Sequence, residues 1–301
     1  MFCSRRNGRS PLRLSPLSDL ASVDPADDLP AFVRQTDPDR YLSILYAPQE
    51  KREALLTLLA FNVEIASVRE RVSQPIPGEM RLQWWRDVLT AGTAEAAGGS
   101  PLAVKLVETV RTHALPIEPF LNMLDARVFD LYDDPMPTRN DLEGYCGETA
   151  SALIQLQALV LDPKAAVGIG EMAGYAGCAQ AIAGLLRSLP IHRARGQCYV
   201  PQDILRSAGM TPESLIAGED RAGIARVVSA MVALGRDHLT KFEARAKGLP
   251  ASVRAAFLPV SLTKAYLDRI EAKADRVADE IVDISPIRKQ WAVFRRASRG
   301  W

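Results

Sequence analysis

Apolar residues recur every three to four positions along almost the whole of this chain, and few patterns leave a polypeptide less choice of architecture. That period stacks one side chain per turn on a common helix face, whereas a half-buried strand alternates every second residue. Between 49 and 71 the positions are Leu55, Leu58, Leu59, Val63 and Ala66. Between 118 and 131 they are Phe120, Leu121, Leu124 and Val128. The same spacing predicts helices over 79–90, 102–113, 138–161, 163–188, 219–247 and 262–282. Pro77-Gly78 reads as a breaker before one of them, and Thr138 with Asp141 as an N-terminal cap of another. No segment alternates convincingly. The expectation is an all-α, single-domain bundle of roughly ten helices.

Composition narrows the function classes. Lys plus Arg number 37 against 36 for Asp plus Glu, which argues against nucleic-acid binding, since that usually needs a basic face. No run of 18 apolar residues offers a spanning helix. Cys3, Cys146, Cys178 and Cys198 form no C-x-x-C pair, and His113, His192 and His238 lie far apart, so neither zinc nor a disulfide framework is indicated. A reducing, cytoplasmic setting fits this cysteine usage.

Three regions are expected. Residues 1–30 form a basic, Pro-containing leader with Arg5, Arg6, Arg9 and Arg13 and no acid before Asp19. It reads as a disordered tail or as a mitochondrial-type presequence. Residues 31–285 form the helical domain. Residues 286–301 form a basic amphipathic helix with Ile287, Trp291 and Phe294 on one face and Arg288, Lys289, Arg295, Arg296 and Arg299 around them. Such a helix can lie on an anionic membrane surface. The alternative is that Trp291 and Phe294 cap the core.

Four further features carry competing readings. Gly170, Gly174, Gly177, Ala181 and Gly184 make a small-residue stripe on one helix face, expected to let another helix cross closely; the overlapping G-x-G-x-x-x-G lacks the spacing and the preceding strand of a dinucleotide site. Glu271, Asp275, Asp279 and Asp283 recur at i+4 and read as a solvated face rather than a cation site. Trp84 and Trp85 point about 100° apart, so one enters the core and the other flanks a groove. Arg187, His192, Arg193 and Arg195 cluster beside Pro190, where a helix must end or kink, and could hold a phosphate or lipid head group.

Three segments together give the chain a family likeness: YLSILYAPQEKREALLTLLAFN at 41–62, DLEGYCGETASAL at 141–153 and RGQCYVPQDIL at 195–205. They resemble the squalene/phytoene synthase family over roughly residues 37–300. The resemblance implies an isoprenoid-synthase bundle with a central cavity. It also implies head-to-head joining of prenyl diphosphates, with Mg²⁺ held between two aspartate motifs. The metal is needed there because it stabilises the departing diphosphate as the C–O bond ionises.

Against that pattern both motifs are degenerate. Ala66 and Ser67 stand where the first paired aspartates belong, and Glu70 alone keeps a carboxylate. Ser188 and His192 stand at the aspartate places of the second. Glu64 lies about 200° around the helix from Ala66 and should face away. Asp130, Tyr145, Gly196, Tyr199 and Pro201 match the family and are expected to serve its frame. MRLQWW at 80–85 and LRSLPIH at 186–192 further resemble a non-catalytic branch of the family that supports respiratory complex I assembly at the inner membrane.

The expectation is thus a pseudoenzyme with no metal cofactor. Its implied partner is a complex I subunit or assembly intermediate, and an isoprenoid or lipid can occupy its cavity. The place implied is peripheral at the inner membrane, facing the cytoplasm in a bacterium or the matrix in a mitochondrion. Two alternatives stand beside it. One is an active, divergent prenyl-diphosphate synthase using Mg²⁺ on Glu70, Asp130 and other acids. The other is a metal-free carrier of a prenyl phosphate or anionic lipid on the Arg187, His192, Arg193 and Arg195 cluster.

Overall fold

The computed structural model describes residues 28–301, so the basic stretch through Arg5, Arg6, Arg9 and Arg13 lies outside the described residues. Every regular element among those residues is helical. Helices α1 (Leu29–Thr36) and α2 (Pro38–Ile44) share the Asp37-Pro38 junction, where Asp37 accepts the Arg40 amide and starts α2. Then come α3 (Arg52–Ala66), α4 (Val68–Arg71), α5 (Pro75–Ala91), α6 (Pro101–Thr112) and α7 (Glu118–Val128). A capping box between Thr138 and Asp141 opens α8 (Arg139–Cys146), as its sequence predicts.

A single π-helical turn at Gly147–Ser151 joins α8 to α9 (Ala152–Leu161). The short α10 (Pro163–Ala166) leads into α11 (Gly170–Arg187), α12 (Leu189–Ala194), α13 (Gln202–Ser207) and α14 (Pro212–Ala217). The long α15 (Arg221–Ala246), α16 (Arg254–Phe257), α17 (Thr263–Glu271) and α18 (Pro286–Arg299) complete the chain.

The predicted periodic runs coincide with the long helices, and breaks within those runs make the segments more numerous than expected. Two apolar cores meet along α11 and α15. One is built on α3, α5, α6, α7 and α9, the other on α8, α11, α15 and α17. Phe61, Trp85 and Phe120 form the centre of the first, with Phe61 and Trp85 edge-to-face at 5.1 Å. Trp85 is buried and Trp84 half-buried beside a groove, which matches the division expected of the pair.

Three expectations need correction. Pro77-Gly78 does not break the chain; both sit in the first turn of α5, where a missing amide costs nothing, and Gly78 lets Leu131 pack closely. The glycine stripe on α11 is not crossed along its length. Only Gly177 meets a neighbour, the Ser151 backbone, which an added Cβ would approach to 2.4 Å, while Gly170, Gly174 and Gly184 have open space. Finally, the run to Val282 stops being an α-helix at Glu271. The next residues wind through turns, and Arg193 Nη1 fastens that stretch to the body through the Ala278 carbonyl at 2.6 Å and Asp279 at 2.9 Å. With the helix goes the i+4 acid stripe: Glu271 and Asp279 pair with separate arginines.

Candidate functional site

A cavity of about 240 Å³ lies between α2, α3, the π-turn, α11 and α17. It falls below the roughly 300–1,000 Å³ of ordinary ligand pockets. Its walls are mixed. Asn62, Thr149 and Gln180 contribute neutral polar groups, Arg40 pairs with Asp37 and Arg187 with Asp39, and Arg127 adds a third guanidinium to the lining.

The first degenerate motif lies at the junction of α3 and α4. Ala66 closes α3, and Ser67 is buried with its hydroxyl donating to the Glu64 carbonyl at 3.0 Å. Glu70, on α4, pairs with Arg195 at 2.8 Å. Glu64 does face away. It is buried and grips Arg71 at 2.6 Å and Arg81 at 2.7 Å, and Arg81 stacks over Trp84. The MRLQWW segment therefore braces the outer side of the helix that carries the first motif.

The second motif lies where α11 gives way to α12 at Ser188, just before Pro190. Ser188 and His192 both line the cavity. His192 packs on the Tyr199 ring at 4.6 Å between centroids. Burial first, and then the Arg195 charge, push its pKa down to about 4. It is neutral near pH 7, so it adds no charge to the basic cluster in which the sequence places it.

The four-residue basic cluster also separates in space. Arg187 borders the cavity, pairs with Asp39 at 3.2 Å and lies over the Tyr266 ring at 3.9 Å. Arg193 turns to the opposite side and donates to the carbonyls of Ile216, Ala217 and Ala278. Arg195 belongs to Glu70. Only Arg187 and His192 of the four line the cavity.

The family-like residues assemble around Asp130, which is buried in the 3₁₀ turn that follows α7. Its carboxylate accepts the Tyr145 hydroxyl at 2.9 Å, the Tyr199 hydroxyl at 2.8 Å and Arg127 Nη1 at 3.0 Å. Gln197 donates to its carbonyl at 3.0 Å. Burial, followed by the Asp130 charge and its neighbours, raises both tyrosines well above the usual phenol range, so they stay protonated donors. Burial opposes the Arg127 charge, but the Asp130 carboxylate and its hydrogen bond outweigh it and hold that charge more firmly than usual. Gly196 takes φ +74 in the turn before Tyr199, and Pro201 precedes α13.

Asp39, Asn62, Gln180 and Tyr266 are cavity residues that sequence reasoning missed. Tyr266 occupies a correct apolar position of its helix, yet its hydroxyl reaches inward to Asp39 at 2.6 Å. The only signal for Asp39 was its place just after an Asp-Pro helix start.

Mg²⁺ between diphosphates needs several carboxylate oxygens within reach of one point. The residues at both motifs do not fit that ion. Ala66, Ser67, Ser188 and His192 supply no carboxylate, Glu70 is paired, and Asp130 is saturated with donors. Among the described residues no three His, Cys, Asp or Glu side chains converge as a metal site requires.

An all-α bundle built around a central cavity is the architecture of the isoprenoid synthases. The solved squalene synthase HpnC from Alicyclobacillus acidocaldarius superposes with a TM-score of 0.70 at 20% identity, covering 83% of this chain and 94% of that one. The chain belongs to the squalene/phytoene synthase family, whose sequence profile matches residues 33–292. It is 30% identical to "NADH dehydrogenase (ubiquinone) complex I, assembly factor 6" of Rattus norvegicus over 240 residues, 80% of this chain and 72% of that protein. It is 25% identical to the presqualene diphosphate synthase of Sinorhizobium fredii over 265 residues, 85% of this chain and 92% of that enzyme.

Proposed function

We propose that this chain is a catalytically silent member of its family that acts in the assembly of respiratory NADH dehydrogenase, complex I, at the inner membrane. One observation carries the silence: the metal-motif positions hold Ala66, Ser67, Ser188 and His192, and the surviving Glu70 is tied to Arg195. Without a metal cluster the leaving diphosphate loses its main electrophilic support. Similarity to the rat complex I assembly factor supports the partner, a complex I subunit or assembly intermediate. Pyrophosphate release from farnesyl diphosphate with Mg²⁺, beside an authentic synthase, tests the first half. No release is expected, and sustained release with a head-to-head product would sink it. Deleting the protein from its host and measuring assembled complex I tests the second half; an unchanged amount would remove the assembly role.

A second reading has its own support. Arg127 Nε and Gln180 Nε2, on residues lining the cavity, have no protein partner. Those donors, with Arg187, suit an acceptor-rich head group bound without metal, as in a carrier of a prenyl phosphate or anionic lipid. A thermal shift with farnesyl phosphate in EDTA, lost in Arg187→Ala, would support it. No shift would leave protein–protein assembly as the whole function.

A further inference from the structure

We infer that the outer side of α18 is a docking surface for an anionic lipid bilayer. This inference goes beyond the assembly reading and does not depend on it. The helix starts at Pro286 and carries no acid through to the chain's last residue, Trp301. Its inner side is fixed to the body: Val293 is fully buried, Lys289 bonds Asp39 at 2.9 Å and Asp283 at 2.8 Å, and Arg254 donates to the Ala297 carbonyl at 3.1 Å. Trp301 closes the end against Phe242.

The outer side is left with two bands. Ile287, Trp291 and Phe294 are 79%, 64% and 49% exposed and lie along one line of the helix. Arg288, Arg295 and Arg299 lie along the neighbouring line and are exposed. The core-capping alternative for Trp291 and Phe294 is thereby overturned. Lys289 and Arg296, which the sequence also assigned to a membrane, turn inward instead. Arg296 sits by Trp301 and 3.9 Å from Glu243.

Charge and geometry select the occupant. Parallel apolar and cationic bands match a bilayer boundary, where aromatic rings sit among acyl chains and arginines meet phosphate groups. A stable protein partner usually covers about 800 Å² per side with shaped complementarity, more than three side chains on one helix present. The helix is also held rigid by its inner contacts, so binding does not have to order it first.

The test uses the full chain with vesicles of phosphatidylcholine mixed with phosphatidylglycerol, against phosphatidylcholine alone, by co-sedimentation and quenching of tryptophan fluorescence by brominated lipid. Wild type should partition onto the anionic vesicles and release as salt rises. Arg288→Gln with Arg295→Gln and Arg299→Gln should weaken partitioning about a hundredfold, about fivefold per arginine. Trp291→Ala with Phe294→Ala should weaken it about tenfold and abolish most of the quenching. All five residues are exposed, so circular dichroism and melting should match wild type. No wild-type binding, or equal binding by the arginine variant, would overturn the proposal. A face covered by a protein instead gives the first of these results. Complex I assembly can fail or stand independently of either.

Discussion

The two polar networks beside the cavity, one around Asp130 and one around Asp39, use the same chemistry to opposite ends. Buried Asp130 gathers Arg127 from the turn before it and Tyr145 and Tyr199 from further along the chain, each of them largely covered. Asp39 gathers Arg187, Tyr266 and Lys289, but its network runs out to half-exposed Asp283 and to the terminal helix. A carboxylate enclosed by donors locks the interior. A carboxylate near the surface acts as a latch for an element that could otherwise leave. In both cases an acid that might have held a metal is consumed by the protein's own donors.

Removing the lock should have the largest effect. Asp130→Ala leaves Arg127 buried without its counter-charge and two tyrosine hydroxyls without an acceptor, a loss of about 3–5 kcal/mol. At about 2–4 °C per kcal/mol the melting temperature should drop by roughly 10 °C. A drop of only a degree or two would show that the cluster is not the lock its geometry describes.

His192 sharpens the comparison through pH. The unfolded side chain protonates near its ordinary value of about 6.5, and the folded one near 4. Between those values the unfolded state binds the extra proton, so stability is complete above about 6.5 and falls as pH drops toward 4. The full span corresponds to about 3 kcal/mol. His192→Phe keeps an aromatic ring against Tyr199 and removes the titration. Denaturant melts at pH 7 and pH 4.5 should differ more for wild type than for the variant. Equal differences would mean that water reaches the imidazole.

Much of this was legible in the sequence, for physical reasons that can be separated. Helix type and position followed from apolar period, and the Thr138 cap from local hydrogen bonding. The residues that stand at the family's aspartate positions, Ala66, Ser67, Ser188 and His192, followed from the family resemblance. The end of α17 at Glu271 was not legible, because the apolar period runs on past it, while contacts that hold the following turns, Arg193 on Ala278 and Asp279 among them, come from distant parts of the chain. The basic cluster misled for the same reason. Linear proximity says nothing about Asp39, Asp279 or Glu70, whose charges decide where each arginine points. The aromatic–basic pattern of residues 286–301 identified the helix but not which of its cations turn inward.

The latch should yield locally. Lys289→Met removes two ion pairs at the inner side of α18 while its apolar stem can still pack. About 1–2 kcal/mol is expected, confined to that helix. Amide exchange over 286–299 should quicken about tenfold with the Asp130 region unchanged. Uniform quickening across both regions would merge the two networks into one cooperative unit.

The smallest effect belongs to the carboxylate that survives from the first metal motif. Glu70 and Arg195 are each partly exposed, so their 2.8 Å pair is screened by water. A double-mutant cycle with Glu70→Gln and Arg195→Gln should return a coupling of no more than about 1 kcal/mol. That is far below the expected cost of losing Asp130. A coupling above about 2 kcal/mol would instead place Glu70 with Asp130 among the groups that fix the interior. With the small value, Glu70 is a carboxylate whose present partner holds it only loosely.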